Sequence, residues 1–165
     1  MSEHTDGLVV RPVRAGDRQA VADAYARLSD DSRYMRFLSH REDLTDAELR
    51  YLIEVDHHHH EALVALQGDR IVGVCEYVRE PARPSVGHVS IVVAEDWRRR
   101  GVADELLDEL CERARRAGIR RLEGRALPHN RAALELVRRR GGTVAHEHGS
   151  GVRVELDLTE QALAC

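Results

Sequence analysis

Val92-Val93-Ala94-Glu95-Asp96-Trp97-Arg98-Arg99-Arg100-Gly101-Val102-Ala103 begins apolar and β-branched, turns acidic and then basic, and ends where a helical period starts. It therefore predicts a buried strand, a tight turn and the first turn of an amphipathic helix. That junction is a ready anion site, because the first helical N–H groups have no partners and the helix dipole is positive there. Gly101 permits close backbone approach, and Ala103 leaves the first turn uncrowded.

Downstream, Leu106, Leu107, Leu110, Cys111 and Ala114 keep a helical period over residues 102–117, and Gly118 stands where a C-terminal glycine belongs. Residues 120–126 read as a strand, and 130–140 as a helix ending at Gly141-Gly142. Residues 143–148 and 152–158 read as a final hairpin around Gly149-Ser150-Gly151. Upstream, residues 87–94 form a strand with Val89, Ile91 and Val93 on one face, preceded by a break at Pro81 and Pro84. Residues 62–66 and 71–78 form a hairpin around Gln67-Gly68-Asp69-Arg70. Before it lie a strand at 8–14, a helix reaching Leu28, and short capped helices at 29–37 and 45–55. This order predicts an α/β fold, a mixed, mostly antiparallel central sheet with helices on both faces. Residues 8–158 make one domain, between a flexible N-terminus at 1–7 and a tail at 159–165.

The chain has 165 residues, enough for one domain, and is 42% hydrophobic and 33% charged, a soluble globular balance. No run is long and apolar enough to span a membrane and the first residues lack a signal-peptide pattern, so a cytoplasmic location is expected. Cys75, Cys111 and Cys165 form no CxxC pair and predict neither disulfides nor a thiolate metal site. All 25 non-histidine basic residues are arginine. Runs such as Arg138-Arg139-Arg140 invite a nucleic-acid reading, but a formal net charge of -4 and 4% aromatics argue against it. The run His57-His58-His59-His60 reads as an exposed loop rather than a metal centre, which needs fixed geometry and supporting partners.

Arg98, Gly101 and Ala103 resemble the acyl-CoA signature of the GNAT superfamily of N-acetyltransferases: Arg or Gln, two residues, Gly, one residue, then Gly or Ala. The likeness extends over nearly the whole chain. Residues 10–14 and 28–37 are similar to the GNAT domains of bacterial protein lysine acetyltransferases, which are often fused to a regulatory module for which this chain has no room. The resemblance implies acetyl-CoA as cosubstrate and no metal. It implies that Ile91, Val92 and Val93 lie along the pantetheine arm, with backbone groups of Ile91 and Val93 pairing to it. The loop of Arg98, Arg99, Arg100, Gly101, Val102, Ala103 and Asp104 would face the pyrophosphate, with Asn130 near the CoA arm or serving as an ordinary N-cap. Asp104 departs from the pattern, since a carboxylate beside a diphosphate repels it unless Arg99 or Arg100 offsets the charge.

Relatives in that branch place a glutamate base on the strand before the loop, and aligning to them puts His88 there. An imidazole can accept a proton at neutral pH. Glu76, on the preceding strand, is the second candidate base, acting directly or through a water. Where many members carry a tyrosine acid, this chain has Val137. The leading expectation is acetyl transfer to a primary amine, protein lysine or a small amine. The alternative is a non-catalytic acyl-CoA-binding regulatory module. Acceptor specificity is expected from the helices between residues 15 and 55 and a loop at 78–87, and a homodimer is left open.

Overall fold

A computed structural model describes residues 7–38, 43–147, 149 and 151–159. The expectations for residues 1–6, for Cys165 and for the rest of the tail from 160 lie outside the described residues. Seven strands form one sheet, β1 (Leu8–Pro12), β2 (His60–Gln67), β3 (Arg70–Glu80), β4 (Arg83–Val93), β5 (Arg121–Ala126), β6 (Thr143–His146) and β7 (Val152–Asp157), in the order β1-β2-β3-β4-β5-β7-β6. Every neighbouring pair is antiparallel except β4 with β5. The helices are α1 (Arg18–Ala26), α2 (Asp30–Phe37), α3 (Asp46–Ile53), α4 (Val102–Arg116) and α5 (Arg131–Arg139).

Two hydrophobic clusters separate the faces of the sheet. On one, α1 and α3 pack Val21, Tyr25, Leu49 and Leu52 onto Val64 and Val74. On the other, α4 and α5 pack Leu106, Leu110, Leu134 and Val137 onto Leu63, Cys75, Leu122 and Val154. Leu106 and Leu110 have no solvent exposure, so truncating either to alanine costs about 2–5 kcal/mol. Helix α4 sits close because Gly73 on β3 has no side chain: a Cβ there would lie 2.8 Å from Leu106 Cδ1.

The expected caps are present. Ser29 Oγ accepts from Ser32 N–H, Thr45 forms a capping box with Glu48, and Asn130 Oδ1 accepts from Ala133 N–H. Helix α4 closes on Gly118, at φ 85°, with Gly118 N–H on Arg115 O and Ile119 N–H on Ala114 O, the bond pattern of a Schellman cap.

Three expectations fail. Pro81 and Pro84 do not break the chain before residue 87: β3 and β4 are a continuous hairpin, with Glu80 opposite Arg83 and Pro84 inside β4. Pairing to β5 begins only at Val86, so the N–H that proline lacks removes no bond on that side. The supposed specificity loop at 78–87 is therefore strand and turn. The first hairpin is also tighter than its four-residue estimate, because Gln67 and Arg70 pair and leave Gly68, at φ 60°, and Asp69 to turn. Finally, only His57, His58 and His59 are exposed. His60 opens β2 and is buried.

Candidate active site

Strands β4 and β5 pair only from Val86↔Arg121 to His88↔Glu123. Past that point β4 stays with β3 as far as Val93, and β5 stays with β7 as far as Ala126, so the two strands diverge. The wedge between them is a cleft lined by β4, by Gly124 and Arg125 on β5, by Asn130 and Val137 of the α5 segment, and by Met35 and Arg36 of α2. Because it takes residues from both sides of the sheet, it connects the α4–α5 face with the α1–α3 face.

Ala94 N–H donates to Val72 O, towards β3. Strand alternation then turns the backbone groups of Val93 and Ile91 the other way, toward the wedge. The Val89 carbonyl supports this, since it lies 3.2 Å from where a Gly124 Cβ would stand. A strand edge with no partner strand is a template for an extended ligand carrying amides. The side chains of Val89, Ile91 and Val93 pack toward the α4 face, and Val92 toward the α1–α3 face.

At the end of β4, Glu95–Trp97 forms a short 3₁₀ turn, and Arg99 (φ 62°) and Gly101 (φ 81°) are both left-handed. Left-handed backbone is uncommon for arginine. The first bond inside α4 runs from Glu105 N–H to Gly101 O, and no side chain caps the helix. The amides of Val102, Ala103 and Asp104 have no intrahelical partners and sit at the positive end of a four-turn helix. Two of the loop's arginines are engaged. Arg98 donates to Ser32 Oγ at 2.7 Å, and Arg100 stacks on the Trp97 ring at 4.6 Å. Glu95 accepts from Ser29 N–H and Ser32 Oγ, so the loop also holds the start of α2.

Asp104 is neutralised from an unexpected direction. Its carboxylate pairs with Arg139 at 2.8 Å and Arg140 at 3.1 Å, at the end of α5, rather than with Arg99 or Arg100.

Of the two candidate bases, Glu76 lies nearer the cleft wall. It is buried on the α1–α3 face, and its Oε1 accepts from Ser90 Oγ at 3.1 Å and from Arg36 at 3.0 Å. Its Oε2 meets His60 Nε2 at 2.6 Å. Burial pushes the carboxyl up, but His60, Arg36 and Ser90 outweigh it and hold it below the ordinary carboxylate range. Ser90 and Arg36 both line the cleft, so Glu76 is one hydrogen bond from it.

His88 shares that face of β4 but is absent from the cleft lining. Its side chain is 52% exposed and is held by Glu80 at 2.9 Å. Glu80, His88 and Glu123 are the only metal-like grouping among the described residues, with ligand atoms within 4.8 Å of one another. Arg83 already bridges both carboxylates, which leaves them little charge to offer a cation. The four histidines do not converge: His57 contacts Glu61, His59 contacts Asp56, and His60 contacts Glu76. Cys75 and Cys111 are buried free thiols, each pushed up by burial.

Sequence reasoning missed Ser90, Arg36 and His60. Ser90 had a signal, because it alternates with His88 on a strand face adjoining the loop.

A model of the acetyltransferase (GNAT) family matches residues 23–142. The acetyltransferase Pat of Mycolicibacterium smegmatis is 30% identical over 151 residues, which cover 90% of this chain and 45% of Pat, so the chain spans less than half of that relative. An L-2,4-diaminobutyric acid acetyltransferase of Shouchella clausii is 26% identical, covering 71% of this chain and 64% of that protein. The crystal structure of the GNAT domain of S. lividans PAT superposes with a TM-score of 0.85 at 27% identity, covering 90% of this chain and 89% of that one. No helix among the described residues is long and apolar enough to cross a membrane.

Proposed function

This chain belongs to the acetyltransferase (GNAT) family, and on that premise we propose that it transfers an acetyl group from acetyl-CoA to a primary amine by direct attack on the thioester. The observation that carries the reading is the wedge between β4 and β5, lined from both faces of the sheet. A donor laid along the free edge of β4 from the loop, and an acceptor arriving past α2, would meet beside Ser90. Holding the two together supplies a large part of such a rate enhancement.

In this reading the amides of residues 99–104 hold the pyrophosphate, and the backbone of Ile91 and Val93 pairs with the pantetheine amides, beside Val92 on the same strand. Asn130 serves both as the cap of α5 and as a wall of the cleft. The amine nitrogen bonds to the acetyl carbon, the carbon–sulfur bond breaks, and CoA leaves as its thiolate. Ser90 accepts the surplus N–H proton as its own passes to Glu76 Oε1, and that proton is then returned to the sulfur. Glu76 is favoured over His88 as base because a cleft-lining hydroxyl already donates to it. With Val137 in place of a hydroxyl on the opposite wall, Ser90 serves both proton transfers.

Protein lysine and small diamines are the acceptor classes to test, the first from the likeness to the PAT domain and the second from the diaminobutyrate relative. Calorimetry with acetyl-CoA, with thiol release over lysine peptides, polyamines and 2,4-diaminobutyrate, decides between readings. Binding with turnover supports the enzyme. Binding with no turnover on any amine favours a regulatory acyl-CoA-binding module, and no binding removes both.

A further inference from the structure

We propose that His60 is a positioning residue that sets the orientation and basicity of Glu76, an inference that rests on the reading of Glu76 as the base. His60 lies outside the cleft lining and reaches it through Glu76. What it does is hold the far oxygen of the carboxylate, 2.6 Å from its Nε2, leaving Oε1 turned toward Ser90.

His60 is held at three points, one on its backbone and two on its ring. Its backbone N–H donates to Asp56 Oδ1 at 3.0 Å, the Tyr51 ring packs on it at 4.4 Å between centroids, and Nε2 meets Glu76. The same Asp56 oxygen accepts from the N–H of His58 and His59, so the turn entering β2 is wound around one carboxylate. Such a turn delivers a histidine into the sheet at a set angle. Sequence had grouped His60 with its exposed neighbours, but only this fourth histidine is buried, at 7% exposure.

The groups facing the pair are Arg36 from α2, Tyr25 from α1, Tyr51 from α3 and Ser90 from β4. Both tyrosines are pushed up by burial and stay neutral at physiological pH. Arg36 is a fixed cation. A hydrogen bond donated to the charged form of a carboxylate lowers its pKa, so losing His60 leaves Glu76 a stronger base that protonates at higher pH.

The test is a carboxyl-carbon NMR titration of Glu76 in the full chain, run on wild type, His60→Leu and His60→Gln, beside the pH profile of kcat for thiol release with a lysine peptide. Leucine removes the donor, whereas the glutamine amide can still offer one. The expected result in His60→Leu is a Glu76 titration and an acidic limb of kcat both moved up by about one pH unit, with KM for acetyl-CoA unchanged and His60→Gln returning most of the shift. A Glu76 titration unchanged in His60→Leu overturns the proposal, and so does a shifted titration with an unmoved limb while Glu76→Gln is inactive. If Glu76→Gln itself keeps full activity, the reading of Glu76 as base has failed and the role assigned to His60 goes with it. Should His60→Leu not fold, the glutamine variant decides: a carboxyl and a limb both as in wild type are expected, and a full-sized shift in this variant contradicts the proposal.

Discussion

From Ala94 to Asp104 the proposed donor loop offers backbone, whereas around Glu76, on the neighbouring strand, the cleft offers side chains. In the proposed reading the loop's working groups are amides made available by two left-handed residues and a helix start, all within one short stretch of sequence. The Glu76 network draws Arg36 from α2, His60 from β2, and Ser90 from β4. A backbone site survives many substitutions, provided its glycine and its helix remain. A side-chain site assembled from four elements changes with each of its members. The two should therefore fail differently, one in affinity and the other in turnover.

The largest expected effect is at the side-chain site. Glu76→Gln is expected to lower kcat by roughly 10²–10⁴, the usual worth of one general base, with KM for acetyl-CoA unchanged in steady-state thiol release. An equal loss in donor affinity would break the contrast. Next comes Gly101→Val, which forces a branched residue to φ 81° at the start of α4. Weakening of acetyl-CoA by about 10–100-fold in calorimetry is expected, or about 1.4–2.8 kcal/mol, with the bound fraction still turning over.

A smaller effect sharpens the account of Asp104. Asp104→Asn removes a negative charge beside the proposed pyrophosphate site and takes the ion-pair partner from Arg139, while Arg140 keeps its pairing with Asp108 at 2.8 Å. Binding of acetyl-CoA should tighten by about two- to threefold at low salt, with the gain lost at high salt, as for exposed charges. Weaker binding would mean that the ion pairs are needed to hold the loop. Smallest is a stability effect. The Glu76 carboxyl lies below its ordinary value of 4.5 in the folded chain, so its stabilisation is fully present above that value and is lost as pH falls through the lower folded value. Glu76→Gln should flatten that part of the fall of Tm with pH below about 4.5.

The loop was legible because its signals are local: a β-branched run, Gly101, and the period of Leu106, Leu107 and Leu110 identify strand, turn and helix. Capping residues Ser29, Thr45 and Asn130 were legible for the same reason. The side-chain site was not, and β4 shows why. Counting outward from the tight turn at residues 81–82 would set Gly87 opposite Glu76, but a register shift between Arg79 and Glu80 brings Ser90 there. No local signal announces that shift. Likewise, nothing near Asp104 in sequence points to Arg139 and Arg140, which α5 brings back to it. His60 was hidden by its three exposed neighbours.

Thiol release measured side by side for Glu76→Gln and His88→Ala tests the central claim most directly. Both variants should bind acetyl-CoA as wild type does. The account predicts that Glu76→Gln loses at least about 100-fold in kcat while His88→Ala stays within about threefold of wild type. Collapse of turnover in His88→Ala with Glu76→Gln still active would contradict it, and would return the role of base to the exposed histidine on β4.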